Sequence, residues 1–331
     1  MTASADLAGA RVLVTGGLGF IGSNLAHRCI ALGASVAVVD TLDPRCGGNR
    51  ANLEGIAGRV RSLPVDIRDA DAVAPLVAES DVVFNCAAFT SHAQSMKDPH
   101  HVMSVNCDGA IALLEAVRHA GRSIRFVHVG TSTQVGRMLT EPITETHPEF
   151  PLDMYSASKT AAEKVVLVHG QAYGIPVTAV RLANVYGPRA NISSPDFGFL
   201  NYFIGRALKG EELTVFGSGD QLRNVLYVDD AVDALLLAAR SDRVAGEVIF
   251  AASGEHLTVL QLAERISAEF GGISVRSVPW PADRRAIEVG HQVLSGAKAK
   301  ELLGWSAGTG LRDGLAATRA YYAPRLAEYV G

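Results

Sequence analysis

A turn of closely spaced glycines between two short apolar runs constrains this chain more than any other feature. Arg11-Val12-Leu13-Val14-Thr15 leads directly into Gly16-Gly17-Leu18-Gly19-Phe20-Ile21-Gly22. The residues that follow, as far as Leu32, have a helical apolar period, and Ser35-Val36-Ala37-Val38-Val39-Asp40 is again extended and apolar. The cluster satisfies G-x-G-x-x-G from Gly17 and G-x-x-G-x-x-G from Gly16, and it ends 18 residues ahead of Asp40. Strand, glycine turn, helix and strand in this order make a unit that binds a dinucleotide. The glycines let backbone approach a pyrophosphate, whose charge is favoured at the helix N-terminus. Asp40 can accept bonds from both ribose hydroxyls and would repel a 2′-phosphate, so the expected cofactor is NAD rather than NADP. Gly16, Gly19, Phe20, Ile21, Gly22 and Asp40 are therefore expected to bind it.

Similar strands are expected at 60–65, 82–86, 124–129, 177–182 and 248–251, with helical patterns between them at 110–120 and 157–173. Continuous rather than alternating apolar character fits parallel strands covered on both faces. The fold expected is α/β, a doubly wound parallel sheet of the Rossmann type with a smaller C-terminal substrate-binding lobe. Residues 1–182 are assigned to the cofactor-binding part and 183–331 mainly to the lobe, with some later strands returning to the sheet. Asp66 and Ile67, just after the third strand, are positioned for an adenine contact. Asn85-Cys86-Ala87-Ala88 ends the fourth strand with small residues where a dinucleotide would cross, and Asn106 completes the expected cofactor set.

Composition sets limits on partners. With 331 residues, 48% hydrophobic and 19% charged, the chain can bury a large core without disulfides or metal. Its net charge of −4 comes with no basic block, which argues against nucleic acid. Cys29, Cys46, Cys86 and Cys107 have neither disulfide nor zinc spacing. Residues 1–10 have no basic-then-apolar leader and no run of eighteen apolar residues occurs, so a cytoplasmic protein with no membrane partner is expected.

Tyr155-Ser156-Ala157-Ser158-Lys159 puts a phenol and an ammonium four apart, as neighbours on one helical face. A nearby lysine cation favours the phenolate, and nicotinamide charge pushes the same way, toward a group able to take a proton from an alcohol. Gly130-Thr131-Ser132-Thr133 closes the strand at 124–129 with hydroxyls at the carboxyl edge, where doubly wound sheets bind ligands. One of these hydroxyls is expected to share the transferred proton with Tyr155 and the substrate. His92, after the Ala87-Ala88 turn, is a candidate substrate contact. Residues 192–202, with Asp196, Phe197 and Asn201, are expected to line the sugar or base pocket.

Together with Arg181-Leu182-Ala183-Asn184-Val185-Tyr186-Gly187-Pro188, these motifs resemble the extended short-chain dehydrogenase/reductase superfamily, and within it the UDP-glucose 4-epimerase group. The resemblance runs from about residue 10 to 325. It takes in Gln221-x-Arg223-Asn224-x-x-Tyr227-Val228-Asp229-Asp230 and Leu303-Gly304-Trp305. It implies a tightly bound NAD, oxidation of a nucleotide sugar at C4, a 4-keto intermediate that turns over, and return of hydride to its other face. Tyr155 would act as base and then acid. Lys159 would hold the nicotinamide ribose, Ser132 would bridge to the sugar, and Asn184, Arg223 and Arg284 would grip the diphosphate. Gly136-Arg137 stands where the family's Tyr-Gly usually follows that hydroxyl, which leaves both Ser132 and Thr133 as candidates.

Related dehydratases and decarboxylases add an acidic residue one or two places after this hydroxyl, and here those places hold Thr133 and Gln134. Epimerisation is therefore the expected reaction, followed by decarboxylation of a hexuronate and then 4,6-dehydration. A non-catalytic NAD-binding protein is the rival of another class, but it would not be expected to keep Tyr155, Lys159 and the arginines. The helices at 110–120 and 157–173 carry apolar residues on more than one face. As in related enzymes, they are expected to form a four-helix bundle in a homodimer.

Overall fold

The computed structural model describes residues 7–330, so the leader-free reading of residues 1–10 falls partly outside the described residues. Twelve strands are described: β1 (Arg11–Thr15), β2 (Ser35–Val39), β3 (Val60–Leu63), β4 (Val82–Asn85), β5 (Arg125–Thr131), β6 (Val177–Leu182), β7 (Asn184–Tyr186), β8 (Leu213–Phe216), β9 (Leu222–Tyr227), β10 (Glu247–Ala251), β11 (His256–Thr258) and β12 (Val275–Val278). Seven form one parallel sheet in the order β10-β6-β5-β4-β1-β2-β3. Alternate residues of β1 serve opposite faces, with Val12 and Val14 in one apolar cluster and Leu13 in the other. Burial on both faces explains why these strands read as continuous apolar runs rather than alternating ones.

Strand order reverses between β1 and β4, which opens a crevice at the carboxyl ends of the strands. The last strand of the sheet, β10, comes from beyond residue 182. Two small sheets, β11-β9-β7 and β12-β8, stand beside it.

Two helices are central to the site. Gly109–His119 agrees with the expected helix to within one residue at each end. Met154–Tyr173 starts three residues earlier than expected because the Asp153 carboxylate caps it, accepting the Ser156 N–H at 2.7 Å. That cap puts Tyr155 in the first turn. Gly174, in the left-handed conformation, ends the helix.

Candidate active site

The glycine turn is built to lie flat on the strand ends. Gly16 has φ +63, and a Cβ there would come within 2.8 Å of the Ala87 backbone. A Cβ on Gly22 would meet the Gly16 carbonyl oxygen at 2.3 Å. The helix Phe20–Ala31 opens at Gly19 with no side-chain cap, so its first N–H groups are free to donate into the crevice. Asp40 sits beside them. One of its carboxylate oxygens accepts the Leu18 N–H at 3.0 Å and the other the Leu42 N–H at 2.9 Å, leaving lone pairs on both. This cradle of bare backbone, uncapped helix start and carboxylate fits a dinucleotide.

These groups open onto a cavity of about 760 Å³ that is also lined by Asp66, Ile67, Ala87 and Ala88. Asp66 is gripped by the Arg68 guanidinium at 2.6–3.1 Å, which holds its carboxyl below the usual range. Asn106 is not part of the lining. It is buried, and its side chain bonds both the N–H and the C=O of Phe89 and the Ser158 hydroxyl, so it ties the loop after β4 to the catalytic helix.

Tyr155, Lys159, Ser132 and Thr133 meet in the same cavity. Burial pushes the Tyr155 phenol up to about 12, against the pull of a hydrogen bond to the Thr131 hydroxyl. Burial also pulls the Lys159 ammonium down to about 8. The expected lowering of the tyrosine by Lys159 is therefore not a property of the chain by itself. The Lys159 amine lies 3.3 Å from His128 Nε2, and desolvation dominates both groups.

The hydroxyls at the end of β5 divide their work. Thr131 caps the turn Ser132–Val135. Thr133 Oγ accepts from the Ser156 hydroxyl at 2.9 Å and lies 3.2 Å from the Thr131 hydroxyl. The Ser132 hydroxyl has no partner among the described residues. Gln134 turns away from the cavity: its amide donates to Glu163 at 3.0 Å and its oxygen accepts the Thr131 N–H at 2.9 Å. Gly136, which replaces the family's tyrosine, has φ +67, and a Cβ there would fall 1.9 Å from the Phe150 carbonyl oxygen.

The substrate candidates divide less favourably. His92, Asn184 and Asn201 line the cavity. Asn184 also donates to the Asn224 carbonyl, and Asn201 braces the backbone of Val185 and Gly187. Arg223 and Arg284 are not brought to the cavity. Arg223 is held by Glu288 and the Gly290 carbonyl, both at 2.5 Å, while Arg284 reaches Asp196 at 3.4 Å. In each case a carboxylate is the guanidinium's partner in this structure. Sequence reasoning missed His128, the partner of Lys159, and Asp153, whose Oδ2 is 2.6 Å from His92 Nδ1. An acidic residue two places before Tyr155 is a helix-start signal that could have found the latter.

Among the described residues, no helix is long and apolar enough to cross a membrane, and no group of three or more His, Cys, Asp or Glu could hold a metal ion. A model described as the NAD dependent epimerase/dehydratase family matches residues 12–252. The low-salt glycan biosynthesis protein Agl12 of Haloferax volcanii is 34% identical, over 94% of this chain and 98% of that protein. A UDP-N-acetyl-alpha-D-glucosaminuronate decarboxylase of Bacillus cytotoxicus is 34% identical over 77% of this chain and 79% of that protein. The crystal structure of UDP-glucose 4-epimerase from Thermotoga maritima, solved with UDP-glucose, superposes with a TM-score of 0.85 at 31% identity, covering 96% of this chain and 99% of that one.

Proposed function

Because the chain belongs to the NAD-dependent epimerase/dehydratase family, we propose that it epimerises a nucleotide sugar at C4 through a transient 4-keto intermediate. The observation that carries this reading is the meeting of Tyr155, Lys159 and Ser132 in one cavity beside the dinucleotide cradle, with Gln134 folded away onto Glu163. Bound NAD supplies the acceptor and donor of a hydride. Gly16, Gly19, Phe20, Ile21, Gly22, Asp40, Ala87, Ala88 and Lys159 hold it, with Asp66 and Ile67 at the adenine. Tyr155 takes the proton of the sugar hydroxyl through its phenolate and later returns it, and Ser132 bridges the two oxygens. Lys159, with Thr133 supporting the turn, keeps this arrangement in place. Residues 183–331 act mainly as the substrate lobe, contributing Asn184 and Asn201 to the cavity. Arg223 and Arg284 engage the diphosphate by exchanging their carboxylate partners for phosphate oxygens.

Incubation with UDP-, GDP-, ADP-, CDP- and dTDP-hexoses, hexuronates and heptoses tests the reaction. An isomer of unchanged mass is expected. Loss of carbon dioxide would favour the second reading, hexuronate decarboxylation, for which the similarity to the Bacillus enzyme speaks; loss of water would favour 4,6-dehydration. NAD retained without any turnover would point to a binding protein.

We also propose a cytoplasmic homodimer formed through the helices Gly109–His119 and Met154–Tyr173. Ile111, Val168 and Tyr173 are exposed on this pair, Val168 at 59%, while the Glu115–His169 contact at 3.1 Å locks the two helices together. Val168→Glu is expected to turn a dimer at micromolar concentration into a monomer by sedimentation velocity. A wild-type monomer would overturn the bundle.

A further inference from the structure

We propose that His92 and Asp153 form a second acid–base centre, which exchanges the proton on the sugar carbon next to the oxidised one. The proposal rests on the 4-keto reading above. His92 enters the cavity from the loop after β4, and its ring meets the Tyr155 ring edge-on with centroids 4.9 Å apart. Its Nδ1 lies 2.6 Å from Asp153 Oδ2, and the Asp153 side chain is 1% exposed against 38% for His92. The other oxygen of Asp153 is occupied by the helix cap. A carboxylate has no proton to give, so Nδ1 carries the hydrogen and donates it. In the neutral tautomer that this bond selects, the lone pair is on Nε2, which has no partner among the described residues.

A buried aspartate that fixes a histidine's tautomer and leaves its other nitrogen open to a substrate cavity has the arrangement of a general base. Among the described residues, the neighbouring candidates are engaged elsewhere. Gln134 is neutral and turned onto Glu163, and Asp196 is paired with Arg284. Lys159 faces His128.

A ketone acidifies the C–H bonds on its neighbouring carbons. The C–H bond breaks, its proton passes to His92 Nε2, and its electron pair forms a carbon–carbon double bond as the carbonyl pair moves onto oxygen. The Ser132 and Tyr155 hydroxyls donate to that oxygen. The imidazolium is held by Asp153, and return of the proton from Nε2 restores the C–H bond and the ketone. Nothing is oxidised or reduced in this step. Exchange of the Nε2 proton with solvent marks the carbon.

The test uses the NAD-loaded protein in deuterium oxide with UDP-glucose, dTDP-glucose and UDP-glucuronate in turn. The recovered sugars are read by mass spectrometry and proton NMR, and reduced nicotinamide by its absorbance. Deuterium is expected at a carbon flanking the oxidised one. In His92→Gln, the deuterium incorporated per reduced nicotinamide formed is expected to fall about tenfold or more. Asp153→Asn, which keeps a capping oxygen, should lower the same ratio by a smaller factor. A merely structural role for His92 would lower both quantities together and leave their ratio unchanged, and that outcome overturns the proposal. So does reduced nicotinamide without deuterium in the wild type. If no reduced nicotinamide forms with any of the three sugars, the 4-keto reading fails for them and takes this proposal with it.

Discussion

Tyr155→Phe is expected to lower turnover of whichever nucleotide sugar the protein accepts by about 10²- to 10⁴-fold, the usual range for losing a positioned acid–base group. The substitution removes one oxygen and keeps the ring that packs against His92. NAD content and thermal midpoint should therefore stay close to wild type. Burial pushes the phenol up to about 12. A hydroxyl with that affinity for its proton needs a positive charge nearby before it can serve as a base near neutral pH, and the oxidised nicotinamide is the charge available. Rapid mixing with sugar, followed by the nicotinamide absorbance, isolates the step. Turnover within tenfold of wild type would remove Tyr155 from the mechanism.

How much of this was legible in the sequence depends on range. The glycine turn, Asp40 and the strands β1–β6 are local patterns, and they were read to within a few residues because both faces of the sheet are buried and the apolar runs are continuous. Tyr155 and Lys159 lie four apart on one helix, so their proximity needed no tertiary information. The arginines were a different matter. Which carboxylate meets Arg223 or Arg284 is decided by residues 65 and 88 positions away, which spacing cannot reveal. His92 and Asp153 are 61 residues apart, and no local pattern brings them together. Asn106 illustrates a related limit of range. A polar residue in the right region was assigned to the ligand, while the buried backbone of Phe89 had the stronger claim on its hydrogen bonds.

A contact between residues distant in sequence also leads to the largest stability effect expected here. Glu163→Ala should cost about 3–5 kcal/mol, because removing the bidentate partner of a buried ion pair leaves the other charge only partly compensated. Glu163 stands one turn beyond Lys159. Its carboxylate takes two parallel bonds from Arg181 on β6, at 2.7 and 2.6 Å, and a third from Gln134 at 3.0 Å. Both Glu163 and Arg181 are wholly buried, and Arg181 already has one nitrogen without a partner. Among the described residues the only other carboxylate on Arg181 is Glu149, at 2.5 Å, which cannot replace a bidentate partner. Burial alone would raise the Glu163 carboxyl, but the hydrogen bonds and charge of Arg181, the charge of Lys164 and the Gln134 hydrogen bond together outweigh it and hold the group below its ordinary value. A carboxyl lowered on folding contributes stability that is complete above its unfolded value of about 4.3 and is lost as pH falls through the folded one. The gap between wild type and Glu163→Ala should therefore be widest at neutral pH and narrow in acid. Urea unfolding across this range measures it. Equal stability at pH 7 would mean that the helix carrying Tyr155 and Lys159 is anchored by its apolar contacts, and that the ion pair beneath it serves only to orient Gln134.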